Sequence, residues 1–127
     1  MKTKSGHMSI AEICEQIDNK SLMVNRVYQR APGLWPGPAQ RYFIDTIINE
    51  YPFQSVYLHE YVAPKTRKVK KDIVDGQQRL TTIHSFINNE IRLGKESGPL
   101  KGKRFDDLDE DMQDLILSYS VANIYLT

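Results

Sequence analysis

The chain is poor in cysteine, in long apolar runs and in net charge, and each shortage removes a class of protein. Cys14 is the single cysteine in 127 residues, so neither an internal disulfide nor a multi-cysteine metal site can be built, and a disulfide-stapled secreted scaffold is excluded. Its place on an apolar helical stripe assigns it to packing. No apolar run approaches the roughly 20 residues that cross a bilayer, and no apolar signal segment follows the N-terminus. A cytoplasmic protein with no membrane partner is expected. The formal net charge is +1, so the molecule lacks the basic excess of a domain that coats nucleic acid, and any such contact must be local. No Gly-x-Ser-x-Gly elbow marks a serine nucleophile, and His59 has no Asp or Cys at the spacing of a zinc site.

What is present suits one compact domain, with 40% hydrophobic residues to form a core and 26% charged residues to solvate it. Residues 1–8 read as a polar leader in which Gly6-His7-Met8 resembles a cloning remnant. They are expected to be disordered and to stand outside a domain of residues 9–127. The last ten residues alternate like a strand and stop without a polar tail, which suggests a piece of a longer protein.

Ser9 and Glu12 have the spacing of a capping box, followed by Ile10, Ile13, Cys14 and Ile17 at helical intervals, which predicts a helix over 10–19. Residues 22–27 are strand-like, and Pro32, Gly33, Pro36, Gly37 and Pro38 then impose a shaped loop around Trp35. Phe43, Ile44, Ile47 and Ile48 share one stripe of a second helix over 39–50, with Pro38 where a first turn tolerates it. Residues 53–62 and 70–74 are expected to pair as strands. Their connection over 63–69 carries Lys65, Arg67 and Lys68, which suits a solvated hairpin loop, local DNA contact being the alternative. Leu80, Ile83, Phe86, Ile87 and Ile91 predict a third helix over 77–93 that Gly94 stops. A connector over 95–104 leads to a fourth helix over 105–117, whose early acidic residues complement the helix dipole. The order predicts a mixed α/β domain, a small sheet flanked by helices.

The strongest local signal is Ile73-Val74-Asp75-Gly76-Gln77-Gln78-Arg79-Leu80-Thr81-Thr82, an apolar strand that turns through glycine straight into a helix. Such a joint is a natural anion site, because the helix start presents backbone N–H groups and the positive end of the dipole. Gly76 permits close backbone approach, and Arg79 supplies a planar charged fork for phosphate oxygens. Gln77 and Gln78 donate or accept without adding charge, and Asp75 could hold a metal ion or orient a water. The plainer alternative is that Asp75 caps a turn. If the fork faces phosphate, Arg79→Ala lowers nucleotide affinity and leaves folding nearly untouched. Tyr28-Gln29-Arg30 forms a second polar cluster ahead of a helix, as if the two lined one cleft. Tyr28 and Trp35 could wall that cleft, or Trp35 could anchor the loop to the core. His84 lies on the same helix as Thr81 and is expected to be a satisfied flank residue rather than an acid or base.

In this order, Tyr28-Gln29-Arg30, Trp35, Ile44-Asp45-Thr46-Ile47-Ile48 and Asp75-Gly76-Gln77-Gln78-Arg79-Leu80-Thr81-Thr82, the chain resembles the N-terminal domain of GmrSD-type restriction proteins, a ParB/sulfiredoxin-like family. The resemblance covers most of the chain from Ser9 onward. It implies a nucleoside-triphosphate site, its base undetermined and Mg²⁺ a candidate companion, that powers or licenses DNA cleavage, with DNA as partner of the full-length protein. Carried onto this chain, the phosphate-binding set is Gln29, Arg30, Gly76, Gln77, Gln78, Arg79 and Thr81, with Asp75 and Gln78 catalytic and Asp75 the metal ligand. The spacer Ala31-Pro32-Gly33-Leu34 before Trp35 is longer than the family's usual one, and the later Arg/Asn motif and the HNH-type nuclease domain of full-length members are not found. The alternatives are a ParB-like nucleic-acid-binding module without turnover and a structural interaction domain. Sulfiredoxin-type catalysis would need a cysteine beside the motif, and none is there.

Overall fold

A computed structural model describes residues 2–24 and 35–127. In chain order the elements are β1 (Thr3–Ser9), α1 (Ile10–Asp18), β2 (Leu22–Met23), α2 (Gly37–Ile48), β3 (Val56–Val62), β4 (Val69–Asp75), α3 (Gln77–Ile87), 3-10 turns at Lys95–Leu100 and Phe105–Asp107, α4 (Glu110–Ser118) and β5 (Ser120–Leu126). The strands form one five-stranded sheet in the order β1-β5-β3-β4-β2. Its pairing is mixed, β1–β5 and β3–β4 being antiparallel and β3–β5 and β2–β4 parallel. This is the mixed α/β architecture expected from the sequence.

Alternation along β3 shows how the sheet sits: Val56 and Leu58 are buried while Tyr57 and His59 are exposed, the period-two signature of a sheet with one covered face. The covered face meets the apolar stripes of the helices, including Ile10 and Ile13 of α1, Ile44 and Ile47 of α2, Leu80, Ile83 and Phe86 of α3 and Ile116 of α4, in one core cluster. Cys14 belongs to this core, and burial pushes its thiol up to about 11, leaving it protonated and unreactive at neutral pH. Among the described residues no helix is long and apolar enough to cross a membrane.

Several boundaries follow local chemistry. At the start of α1, Ser9 Oγ accepts from the Glu12 N–H at 3.1 Å and Glu12 Oε1 accepts from the Ser9 N–H at 3.2 Å, the expected capping box. Asp109 caps α4 by accepting from the Met112 N–H at 2.8 Å, with Glu110 and Asp111 in the first turn, so the acidic run serves the helix dipole.

Two expectations are corrected. Residues 3–9, expected to lie largely within a disordered leader, form the edge strand β1, which pairs with β5 over seven positions from Thr3↔Leu126 to Ser9↔Ser120. An edge strand can be polar because one side is solvated, and Met8 supplies the buried anchor at 3% exposure. The third helix ends at Ile87, not 93. Asn88 caps it, its Nδ2 donating to the His84 carbonyl at 2.8 Å, and Asn89 takes a left-handed φ of 63° that turns the chain away. Leu93 is buried from a non-helical segment whose N–H donates to the Lys103 carbonyl at 2.8 Å, so its apolar character did not extend the helix.

Candidate functional site

The joint between β4 and α3 is built around Gly76, the N-cap residue of α3, at φ 106° and ψ 13°. This left-handed backbone favours glycine, and packing demands it as well, since a Cβ there would stand 2.5 Å from Val56 Cγ1. The sequence assigned the missing side chain to close ligand approach. The space is filled by the fully buried Val56 of β3 instead.

Arg79, one turn into α3, points inward. Its side chain is 13% exposed, and Nη2 stands 3.7 Å from Asp75 Oδ2. Nη1 donates to the Gln54 carbonyl, and Cζ lies 5.6 Å from the Phe53 ring centroid. Burial lowers its pKa, with the Asp75 carboxylate acting in the opposite sense. The guanidinium therefore bolts α3 to the segment that enters β3, where the sequence placed it as an outward fork. Asp75 keeps its side chain 67% exposed at the end of β4.

Gln78 joins the two motif regions: its Oε1 accepts from the backbone N–H of Trp35. The Trp35 ring meets Phe43 edge-on at 5.3 Å, Phe43 meets Phe53 at 5.0 Å, and Phe53 stacks on Tyr119 at 5.7 Å. Trp35 thus anchors its segment to an aromatic column, and the same Phe53 lies under Arg79. Tyr28, Gln29 and Arg30 fall outside the described residues.

Along α3, Thr81 donates its hydroxyl to the Gln77 carbonyl at 2.8 Å. With His84 and Ser85 of the same helix it lines a cleft of about 490 Å³, together with Lys20, Glu90 and Leu22 and Met23 of β2. His84 Nε2 lies 2.8 Å from Asp18 Oδ1 and so ties α3 to α1, the satisfied flank position expected for it. Among the described residues no three His, Cys, Asp or Glu side chains group to hold a metal ion. The structure therefore gathers Asp75, Gly76, Gln77, Gln78, Arg79, Thr81 and Trp35 at one end of α3. Sequence reasoning missed Phe53, Gln54 and Val56 as the platform beneath them. They lie more than 20 residues upstream of Arg79, and nothing local in the sequence marks them.

The family model of the GmrSD restriction endonuclease N-terminal domain matches residues 10–125. The chain belongs to this family. No curated protein and no solved structure matches it. The GmrSD match spans α1 through most of β5 and includes the whole β4–α3 joint, while β1 precedes it.

Proposed function

We propose that this GmrSD N-terminal domain binds a nucleoside triphosphate, with the phosphates at the start of α3 and the sugar and base along the cleft of Thr81, His84 and Ser85. In the full-length protein this binding powers or licenses cleavage of DNA. The observation that carries the reading is electrostatic. Helices α1 and α4 each cap their N-terminus with a side chain and place acidic residues in the first turn, whereas α2 and α3 have no side-chain cap and no acid there, and of these two only α3 springs from a strand through a left-handed glycine. A helix start with no acid of its own favours a nearby anion, and Thr81, one turn further along α3, lines a polar cleft.

In this arrangement Arg79 and Gln78 are positioning residues. Arg79 holds the helix start against β3, and Gln78 holds the Trp35 segment beside it. Asp75 is the exposed acid at the joint. One carboxylate together with substrate phosphates is a donor set that suits Mg²⁺, and bound Mg²⁺ would neutralise phosphate charge there.

Calorimetric titration with ATP, GTP and CTP, with and without Mg²⁺, tests the proposal. At least one triphosphate is expected to bind saturably and more tightly with Mg²⁺. Asp75→Asn should lose that enhancement while keeping the metal-free binding. Failure of all three to bind at millimolar concentration would end this reading.

A further inference from the structure

The β3–β4 hairpin carries the densest positive charge in the molecule. Residues 63–71 contain Lys65, Arg67, Lys68, Lys70 and Lys71 and no acid, a charge of +5 in a chain of net +1, so the rest of the protein is net −4. Two of these cations are used internally. Lys70 Nζ donates to the Lys20 carbonyl at 3.1 Å, and Lys71 Nζ donates to Gln16 Oε1 at 2.9 Å and lies 5.3 Å from the Tyr125 ring centroid. Lys65, Arg67 and Lys68 remain at the tip, exposed and in no ion pair among the described residues.

The tip is also preformed. The Arg67 N–H donates to the Ala63 carbonyl at 2.7 Å, the Ala63 N–H donates to the Lys68 carbonyl at 2.9 Å, and Arg67 holds a left-handed φ of 59°. Directly beneath it the register pair Val62 and Val69 is 59% and 50% exposed. A protruding two-stranded ribbon with three uncommitted cations and an apolar neck has the dimensions and charge of an element that enters a DNA major groove, about 12 Å wide. The deep, narrow groove of A-form RNA admits no such ribbon.

We propose that the tip formed by Lys65, Arg67 and Lys68 is a phosphate-contacting element for duplex DNA. It lies at the opposite end of β4 from Gly76, roughly 20 Å away for seven strand residues. The inference does not depend on nucleotide binding, and the two can fail separately.

Anisotropy of a short labelled DNA duplex, followed between about 50 and 200 mM salt, tests it on this chain. Removing one phosphate contact takes about 0.9 from the slope of log affinity against log salt. Lys65→Ala/Arg67→Ala/Lys68→Ala is therefore expected to lower the slope by about 2–3 and to weaken binding at least tenfold at the lowest salt. The milder Lys65→Gln/Lys68→Gln, which keeps Arg67 in its turn, should lower it by about 2. Lys95→Ala/Lys101→Ala/Lys103→Ala removes the same charge elsewhere and should leave the slope within about 1. Melting temperature and nucleotide affinity should be those of the parent chain. The proposal is overturned if the parent chain does not bind DNA at low salt, or if the control triple lowers the slope as much as the tip triple. It is equally overturned if duplex RNA or phosphatidylserine vesicles are bound as tightly as DNA.

Discussion

Replacing Gly76 with alanine is expected to destabilise the domain by about 2–6 kcal/mol, the sum of about 1–3 for a left-handed non-glycine backbone and about 1–3 for overpacking. The added Cβ would meet Val56 Cγ1 at 2.5 Å and Val56 Cβ at 3.0 Å, and Val56 is fully buried, so it has nowhere to move. A domain of this size should lose about 10 °C or more in Tm. Gly102→Ala is the matched control: Gly102 has φ 82° with nothing within 4 Å of an added Cβ, so it bears the backbone cost alone, about 1 kcal/mol. Adding Val56→Ala to Gly76→Ala should recover part of the loss, a coupling that two independent sites would not show. Equal melting temperatures for the Gly76 and Gly102 variants would mean that the joint is not packed as described.

The second large effect belongs to Arg79. Arg79→Ala should cost about 2–3 kcal/mol, because it deletes a charged hydrogen bond from a side chain that is only 13% exposed and a cation–π interaction. The hydrogen bond is the one to the Gln54 carbonyl, and the cation–π partner is the Phe53 ring. Asp75→Asn should change stability by no more than about 0.5 kcal/mol, since its partner is 3.7 Å away and its own side chain is largely exposed. Arg79→Lys keeps the charge without the planar fork and should restore less than half of the loss. Urea denaturation ranks the three variants. An outward, phosphate-facing arginine would give the opposite order, with Arg79→Ala as stable as the parent chain and deficient only in nucleotide affinity.

The contrast between these two residues shows where the sequence was legible. Period and capping chemistry are local, so α1 with its Ser9–Glu12 box and the β3–β4 pairing were readable within a few residues of their ends. The family motif was readable for the same reason, being contiguous. The direction of Arg79 was not readable, because it is set by a carbonyl 25 residues away that becomes a neighbour only when β3 lies beside β4. The reason for Gly76 was hidden likewise, since Val56 confronts it across the sheet. β1 escaped notice because its stability comes from pairing with β5 at the far end of the chain, and a polar edge strand has no apolar signature of its own. The early end of α3 depends on Asn88 and Asn89, residues common enough inside predicted helices that an apolar period running on to Ile91 outweighed them.

Backbone amide shifts of the isotope-labelled chain, followed during titration with a Mg²⁺-loaded nucleoside triphosphate, test the central claim most directly. The largest changes are expected on Gly76, Gln77 and Gln78 at the start of α3, continuing through Thr81, His84 and Ser85, while the hairpin tip at Lys65, Arg67 and Lys68 stays in place. Saturating nucleotide that leaves the start of α3 unmoved, or that shifts a different surface, would contradict it.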